Sequence, residues 1–283
     1  HHRVGAYLAP LSHGERPQHL GAGTDDNVLL HGGVTLHLFQ ADPAQGYPVV
    51  QGHEISARVV EAGSAVTNVK VGDLVTIQPQ VVCGTCYPCT HGLYNDCNEL
   101  KVMGFQTTGM ASEYFVVDAD KALKLPDDMN DEHGAMIEPL AVACHAVSRY
   151  GSVADKNAVV IGGGPIGNLV AQVLLARGAK KVLLSEVSAY RLETAKKCGI
   201  LTINPKEFTL QDAIIQTFGS DAADVIFECI GSPATIREAV DVARKGSTII
   251  VVGVVPDLAP INMGFVQDHE LSIIGSAIDR KST

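Results

Sequence analysis

Positive charge is scarce in this chain: 21 Lys and Arg stand against 31 Asp and Glu, a formal net charge of −10. That deficit argues against polyanionic partners, so neither nucleic acid nor an anionic membrane surface is expected. Long apolar runs are missing too, and none approaches the roughly 18 residues needed to span a bilayer. The N-terminus has no continuous apolar core or cleavage site of the secretory kind. It starts His1-His2 and not with methionine, which leaves processing, a tag remnant and an incomplete start all open. No cysteine precedes Cys83, and four of the seven then crowd between 83 and 97. An odd number crowded in this way fits reduced thiols holding a metal better than a secreted disulfide framework. A cytoplasmic setting is the resulting expectation.

A hydrophobic fraction of 46% and a charged fraction of 18% over 283 residues describe a soluble globular protein, with two domains the leading expectation. The most informative stretch is Asn157-Ala-Val-Val-Ile-Gly-Gly-Gly-Pro-Ile-Gly167. A short valine-rich run reads as a buried strand, and 165–177 reads as a helix. Between them Gly162-x-Gly164-Pro165-Ile166-Gly167 turns the chain. Gly162 makes the tight turn, Gly164 lets a pyrophosphate approach the backbone, and Gly167 allows helix and sheet to pack closely. The helix start adds free N–H groups and a positive dipole. A second strand, 181–186, ends in Glu186, whose carboxylate suits the ribose hydroxyls of NAD and repels a 2′-phosphate. A glycine turn in some other α/β domain is the competing reading, but strand, helix and acid in register point to a dinucleotide site. Arg191 follows closely, either beside the adenosine or simply exposed on its helix. Further strands at 200–203, 224–230, 247–252 and 271–275, with helices at 188–197, 209–217 and 233–244, predict a doubly wound parallel sheet.

Ahead of this half, residues 1–27 show no period of two or 3.6. Histidines 1, 2, 13, 19, 31 and 37 lack fixed ligand spacing and read as exposed loop residues. From Val28 onward, short strands at 55–62, 74–78 and 112–117 separated by glycine turns suggest a compact barrel-like domain. Gly52-His53-Glu54 offers an imidazole and a carboxylate, which reach one ion only in a turn, since strand neighbours face opposite ways. Taken alone, that pair is weak. Cys83, Cys86, Cys89 and Cys97 are stronger: C-x2-C-x2-C-x7-C can surround zinc tetrahedrally, and a full thiolate shell makes such a site structural. An iron–sulfur cluster and a chance grouping of core cysteines are the alternatives. Glu138, just before Pro139, is either a helix-start carboxylate stabilised by the dipole or a metal ligand at the domain junction.

Together these motifs resemble the medium-chain, zinc-dependent alcohol and polyol dehydrogenases, most closely the butanediol, sorbitol and threonine dehydrogenase branch. The matching text is Gly52-His-Glu54, Lys70-Val-Gly-Asp-Leu-Val75, the cysteine loop, Ile137-Glu-Pro-Leu-Ala-Val142, the glycine turn and Ser185–Leu192. The resemblance implies a β-rich, GroES-like catalytic domain over 1–139 and an NAD-binding Rossmann domain over 140–283, with the active site in the cleft between. It implies homodimers or homotetramers, and hydride transfer between a small secondary alcohol or polyol and nicotinamide. His53, Glu54 and Glu138 match three ligands of a catalytic zinc. The family's cysteine ligand and relay hydroxyl fall on Gly32 and Val34, with Thr35 at the family's aspartate, in Gly32-Gly-Val-Thr-Leu-His37. The family's C-terminal return to the catalytic domain lies beyond Thr283. These departures carry the expectation of cofactor binding with little turnover, and the alternative of a truncated or decayed, non-catalytic relative.

Overall fold

The computed structural model describes residues 27–32 and 50–280, and the chain divides into two compact units between Glu138 and Pro139. Among residues singled out above, His1, His2, His13, His19, Val34, Thr35 and His37 lie outside the described residues.

The first unit contains β1 (Asn27–Gly32), β2 (Ser56–Ala62), β3 (Leu74–Ile77) and β4 (Gln80–Val81). A one-turn helix α1 (Tyr87–Thr90) precedes β5 (Lys101–Val102), β6 (Tyr114–Asp118) and β7 (Ala122–Lys124). Helices α2 (Asp131–Ala135) and α3 (Ile137–Tyr150) follow, and Glu138 in the first turn of α3 is the unit's last residue. Five strands form an antiparallel sheet in the order β6-β1-β2-β3-β7, and β4 and β5 form a separate ribbon. Alternation decides which side chains go inside: in β2, Ala57 and Val59 are buried while Arg58 between them is exposed. They join Leu30, Ile55, Val75, Ile77, Met110, Phe115 and Val117 in one core.

The second unit alternates strand and helix. Its strands are β8 (Asn157–Ile161), β9 (Lys181–Ser185), β10 (Leu201–Ile203), β11 (Val225–Glu228), β12 (Thr248–Val251) and β13 (Ser272–Gly275). Its helices after α3 are α4 (Pro165–Ala176), α5 (Ala189–Lys197), α6 (Leu210–Phe218), α7 (Pro233–Asp241) and α8 (Met263–Asp268). All six strands run parallel in the order β10-β9-β8-β11-β12-β13. The chain therefore winds outward in both directions from the β8–β11 pair, the switch point where such sheets bind ligands. Successive residues of β8 enter opposite cores. Ala158 and Val160 pack with Ala146, Val170 and Leu174, whereas Val159 and Ile161 pack with Leu210, Ile214 and Val240. Burial on both faces explains why these strands read as continuous apolar runs. Three expectations need correction. His31 lies in β1 and not in a loop, and the helix read over 233–244 ends at Asp241. The strand drawn over 224–230 stops at Glu228, because the chain turns away there.

Candidate functional site

The four-cysteine loop closes on itself. Cys83 and Cys89 sulfurs lie 4.0 Å apart and those of Cys86 and Cys97 3.9 Å, and all four lie within 4.8 Å of one another. Zinc–sulfur bonds of about 2.3 Å in a tetrahedron put sulfurs about 3.8 Å apart, so the set fits zinc as it stands. Backbone N–H groups aim at the sulfurs: Cys86 donates to Cys83 at 3.4 Å, while Cys83 and Glu99 donate to Cys97 at 3.3 and 3.4 Å. The N–H groups of Thr85 and Cys86 bring the Cys83 thiol down to about 6. Burial, together with the neighbouring thiols of Cys86 and Cys97, pushes Cys89 up to about 12. Crowded sulfurs resist becoming thiolates together, and a divalent cation among them removes that conflict.

Three further groups converge at the end of the first unit. One ligand atom each from His53, Glu54 and Glu138 lies within 4.8 Å of the others, and His53 Nε2 stands 3.8 Å from Glu138 Oε1. Gly52 makes this possible. Its φ of +88° bends the chain before β2, so His53 and Glu54 escape the opposite facing that a strand would impose. The bend is tied to a second segment: Met110 N–H donates to the Gly52 carbonyl at 2.9 Å and Ala111 N–H to that of Gln51 at 2.8 Å. Phe105 covers the imidazole, ring centroids 4.9 Å apart at 56°. Burial lowers the His53 pKa against the opposing pull of Glu54, which favours the neutral imidazole that a metal requires. Glu138 is 8% exposed. A half-buried neutral nitrogen beside two carboxylate oxygens is a donor set suited to zinc.

The glycine turn follows β8. Gly162 has φ +100°, and its N–H donates to the Ser185 carbonyl at 2.8 Å. A methyl group on Gly167 would collide with the Gly162 carbonyl, whereas one on Gly164 would meet nothing within 4 Å. Gly164 thus faces open space at the N-cap of α4, where no side chain caps the helix and the N–H groups of Ile166 and Gly167 are turned outward. Pro165 occupies the first helical position and removes no needed donor. That open cradle fits a pyrophosphate.

Glu186, 6% exposed, follows the last residue of β9 beside this turn. Its Oε2 accepts from Gly163 N–H at 2.9 Å, and its Oε1 from Val187 and Ser188 N–H at 2.7 and 2.9 Å. Arg191 Nη1 stands 3.5 Å from Oε2. Burial alone would raise this carboxyl, but the three N–H donors and Arg191 outweigh it and hold it below the ordinary range. The sequence suggested a carboxylate waiting for ribose. The structure gives it a second task, tying the glycine turn to the end of β9. Neither that bond nor Phe105 was foreseen, because both depend on segments brought together only by folding.

Residues 23–127 match the family model described as alcohol dehydrogenase GroES-like domain, and residues 165–283 match that for zinc-binding dehydrogenase. Over 248 residues the chain is 36% identical to 2-dehydro-3-deoxy-L-galactonate 5-dehydrogenase of Pseudoalteromonas atlantica, covering 87% of this chain and 72% of that one. The chain belongs to the zinc-binding alcohol dehydrogenase family. A second relative, sorbitol dehydrogenase of Bacillus subtilis, is 33% identical over 253 residues, 86% of this chain and 71% of its own. A zinc-binding dehydrogenase of Sinorhizobium meliloti bound to NADP superposes with a TM-score of 0.82 at 30% identity, covering 90% of this chain and 78% of that one. As a zinc-binding alcohol dehydrogenase the protein is an oxidoreductase of the alcohol and polyol type, with zinc and a nicotinamide dinucleotide as cofactors. Its GroES-like unit and six-stranded parallel sheet are the fold expected from sequence. Among the described residues, no helix is long and apolar enough to cross a membrane.

Proposed function

We propose that the chain interconverts a small secondary alcohol or polyol and its ketone, with His53, Glu54 and Glu138 as the protein ligands of the catalytic zinc. The observation that carries this reading is the convergence of those three side chains. Zinc at such a site supplies Lewis acidity toward an alcohol oxygen, and a bound nicotinamide supplies the hydride acceptor. His53 contributes a neutral nitrogen and the two glutamates contribute charge that balances a dication. Gly32 brings no side-chain ligand, so among the described residues the protein's share is three donors. With three protein donors, a zinc ion held there would keep a position open for an alcohol oxygen, as catalytic zinc sites do. Cys83, Cys86, Cys89 and Cys97 hold the structural zinc, whose closed shell offers no such position.

The second unit's cofactor is NAD in preference to NADP, because a 2′-phosphate would approach the Glu186 carboxylate. Gly162, Gly164, Pro165, Ile166 and Gly167 form its pyrophosphate cradle, and Arg191 flanks its adenosine side. The chain works in the cytoplasm as a homodimer or homotetramer. Support for pairing comes from β13, an edge strand with mostly exposed side chains, since sheet edges are templates for pairing with another chain. Zinc-loaded protein incubated with sorbitol, 2,3-butanediol or threonine and NAD should produce NADH. Absence of turnover with every member of that panel, with both zinc ions present, would overturn the catalytic assignment. Tighter binding of NADPH than NADH would overturn the role given to Glu186.

A further inference from the structure

A carboxylate is buried in the parallel sheet, where the other buried side chains are apolar apart from Asn157 and Ser185. Glu228, the last residue of β11, is 0% exposed. Burying an acid is costly unless its oxygens find donors, and here the donors all belong to the segment that follows. Oε1 accepts from the N–H groups of Ile230 and Gly231 at 3.0 Å each and from the Thr235 hydroxyl at 2.8 Å. Oε2 accepts from Gly231 N–H at 3.1 Å. The Glu228 carbonyl meanwhile accepts from Val252 and Gly253 N–H at 2.8 and 2.9 Å. One residue therefore ties together the ends of β11 and β12 and the first turn of α7.

The turn held in this way lies directly against the glycine fingerprint. A methyl group on Gly162 would come within 2.6 Å of Ile230 Cγ1, and one on Gly167 within 3.4 Å of Cys229 Cβ. Ile230 itself is 51% exposed, an apolar side chain just past the C-terminal end of β11. β11 and β8 are also the strands at the switch point. We propose that Glu228 is a positioning residue for the dinucleotide: its carboxylate sets the 229–231 turn so that Ile230 covers Gly162 and forms one wall of the cofactor cradle. The inference rests on the dinucleotide reading of the glycine turn. Glu228 touches no reacting atom and acts through Ile230.

Binding separates this role from simple support of the fold. NADH affinity of the full chain, read by fluorescence titration, is compared with melting temperature for E228A, E228Q, I230A and I214A. Ile214 is fully buried on the inner face of α6, so I214A loses core packing without touching the turn. E228A leaves three donors without their acceptor and should weaken NADH binding by about tenfold or more. E228Q keeps the oxygen that serves Ile230, Gly231 and Thr235, so it should bind within about threefold of the natural protein. I214A should melt earlier yet bind NADH unchanged. Should E228A fail to fold, I230A carries the test, with weaker binding expected at nearly unchanged melting temperature. Unchanged affinity in folded E228A or in I230A would overturn the proposal, as would equal weakening in E228A, E228Q and I214A. A natural chain that binds neither NADH nor NADPH would overturn the dinucleotide reading itself, and this inference with it.

Discussion

Replacing Gly164 by alanine should separate binding from folding, because the three fingerprint glycines are glycines for different reasons. Gly164 has φ −64° and ψ −177°, a conformation open to any residue, and the added methyl meets nothing within 4 Å. Restricting the unfolded chain favours alanine by about 0.4–1 kcal/mol at a compatible site. Alanine is the poorer N-cap, which costs about 0.5–1 kcal/mol relative to glycine. The two nearly cancel, and stability should stay within about 1 kcal/mol of the natural protein. The methyl does, however, occupy the space a pyrophosphate needs. Losing even one good N–H contact to phosphate costs about 1.5–3 kcal/mol, so NADH affinity should fall roughly 10- to 100-fold. Gly167→Ala should behave in the opposite order, since its methyl collides with the Gly162 carbonyl, and loss of stability should come with any loss of binding. Thermal melts and NADH fluorescence titrations on both variants decide the matter. Natural affinity in Gly164→Ala, or a Gly164→Ala chain that unfolds, would refute the reasoning.

Two other outcomes follow from the same geometry. Cys97→Ser should lose about one zinc per chain, with protease sensitivity rising in the loop between β4 and β5; retention of the full zinc content would remove Cys97 from the shell. Glu186 titrates below its ordinary value near 4.5, so the unfolded chain binds that proton more tightly than the folded one. Its contribution to stability is therefore complete above that value and is lost as the pH falls through the lower folded value. The melting-temperature gap between natural protein and Glu186→Gln should stay constant from neutral pH down to about 4.5 and close below it. A gap that persists unchanged to about pH 3 would show that the carboxylate does not supply it.

Local chemistry was what the sequence made readable. The cysteine loop declares itself because all four ligands lie within one short segment, and the glycine turn because strand, turn, helix and acid follow in chain order. Pairing of His53 with Glu138 could only be suggested by resemblance, since a bend at Gly52 and the start of α3 must meet to create it. Glu228 passed unnoticed as the acid near the end of an apolar run. The cue was present, an acid in a buried strand followed by Gly231-Ser232-Pro233, which are turn and helix-start residues. Reading the strand on to 230 missed that the acid itself ends it. β4 and β5, two residues each, are too short to leave a period, and α8 follows a loop whose spacing gave no warning.

Zinc content tests the central claim most directly. Metal analysis of the purified full chain should find two zinc ions per chain. His53→Ala and Glu138→Ala should each retain one, held by the four cysteines, and should lose alcohol oxidation while still binding NADH. A natural chain holding a single zinc, unchanged by either substitution, would contradict the assignment of His53, Glu54 and Glu138 to a catalytic metal.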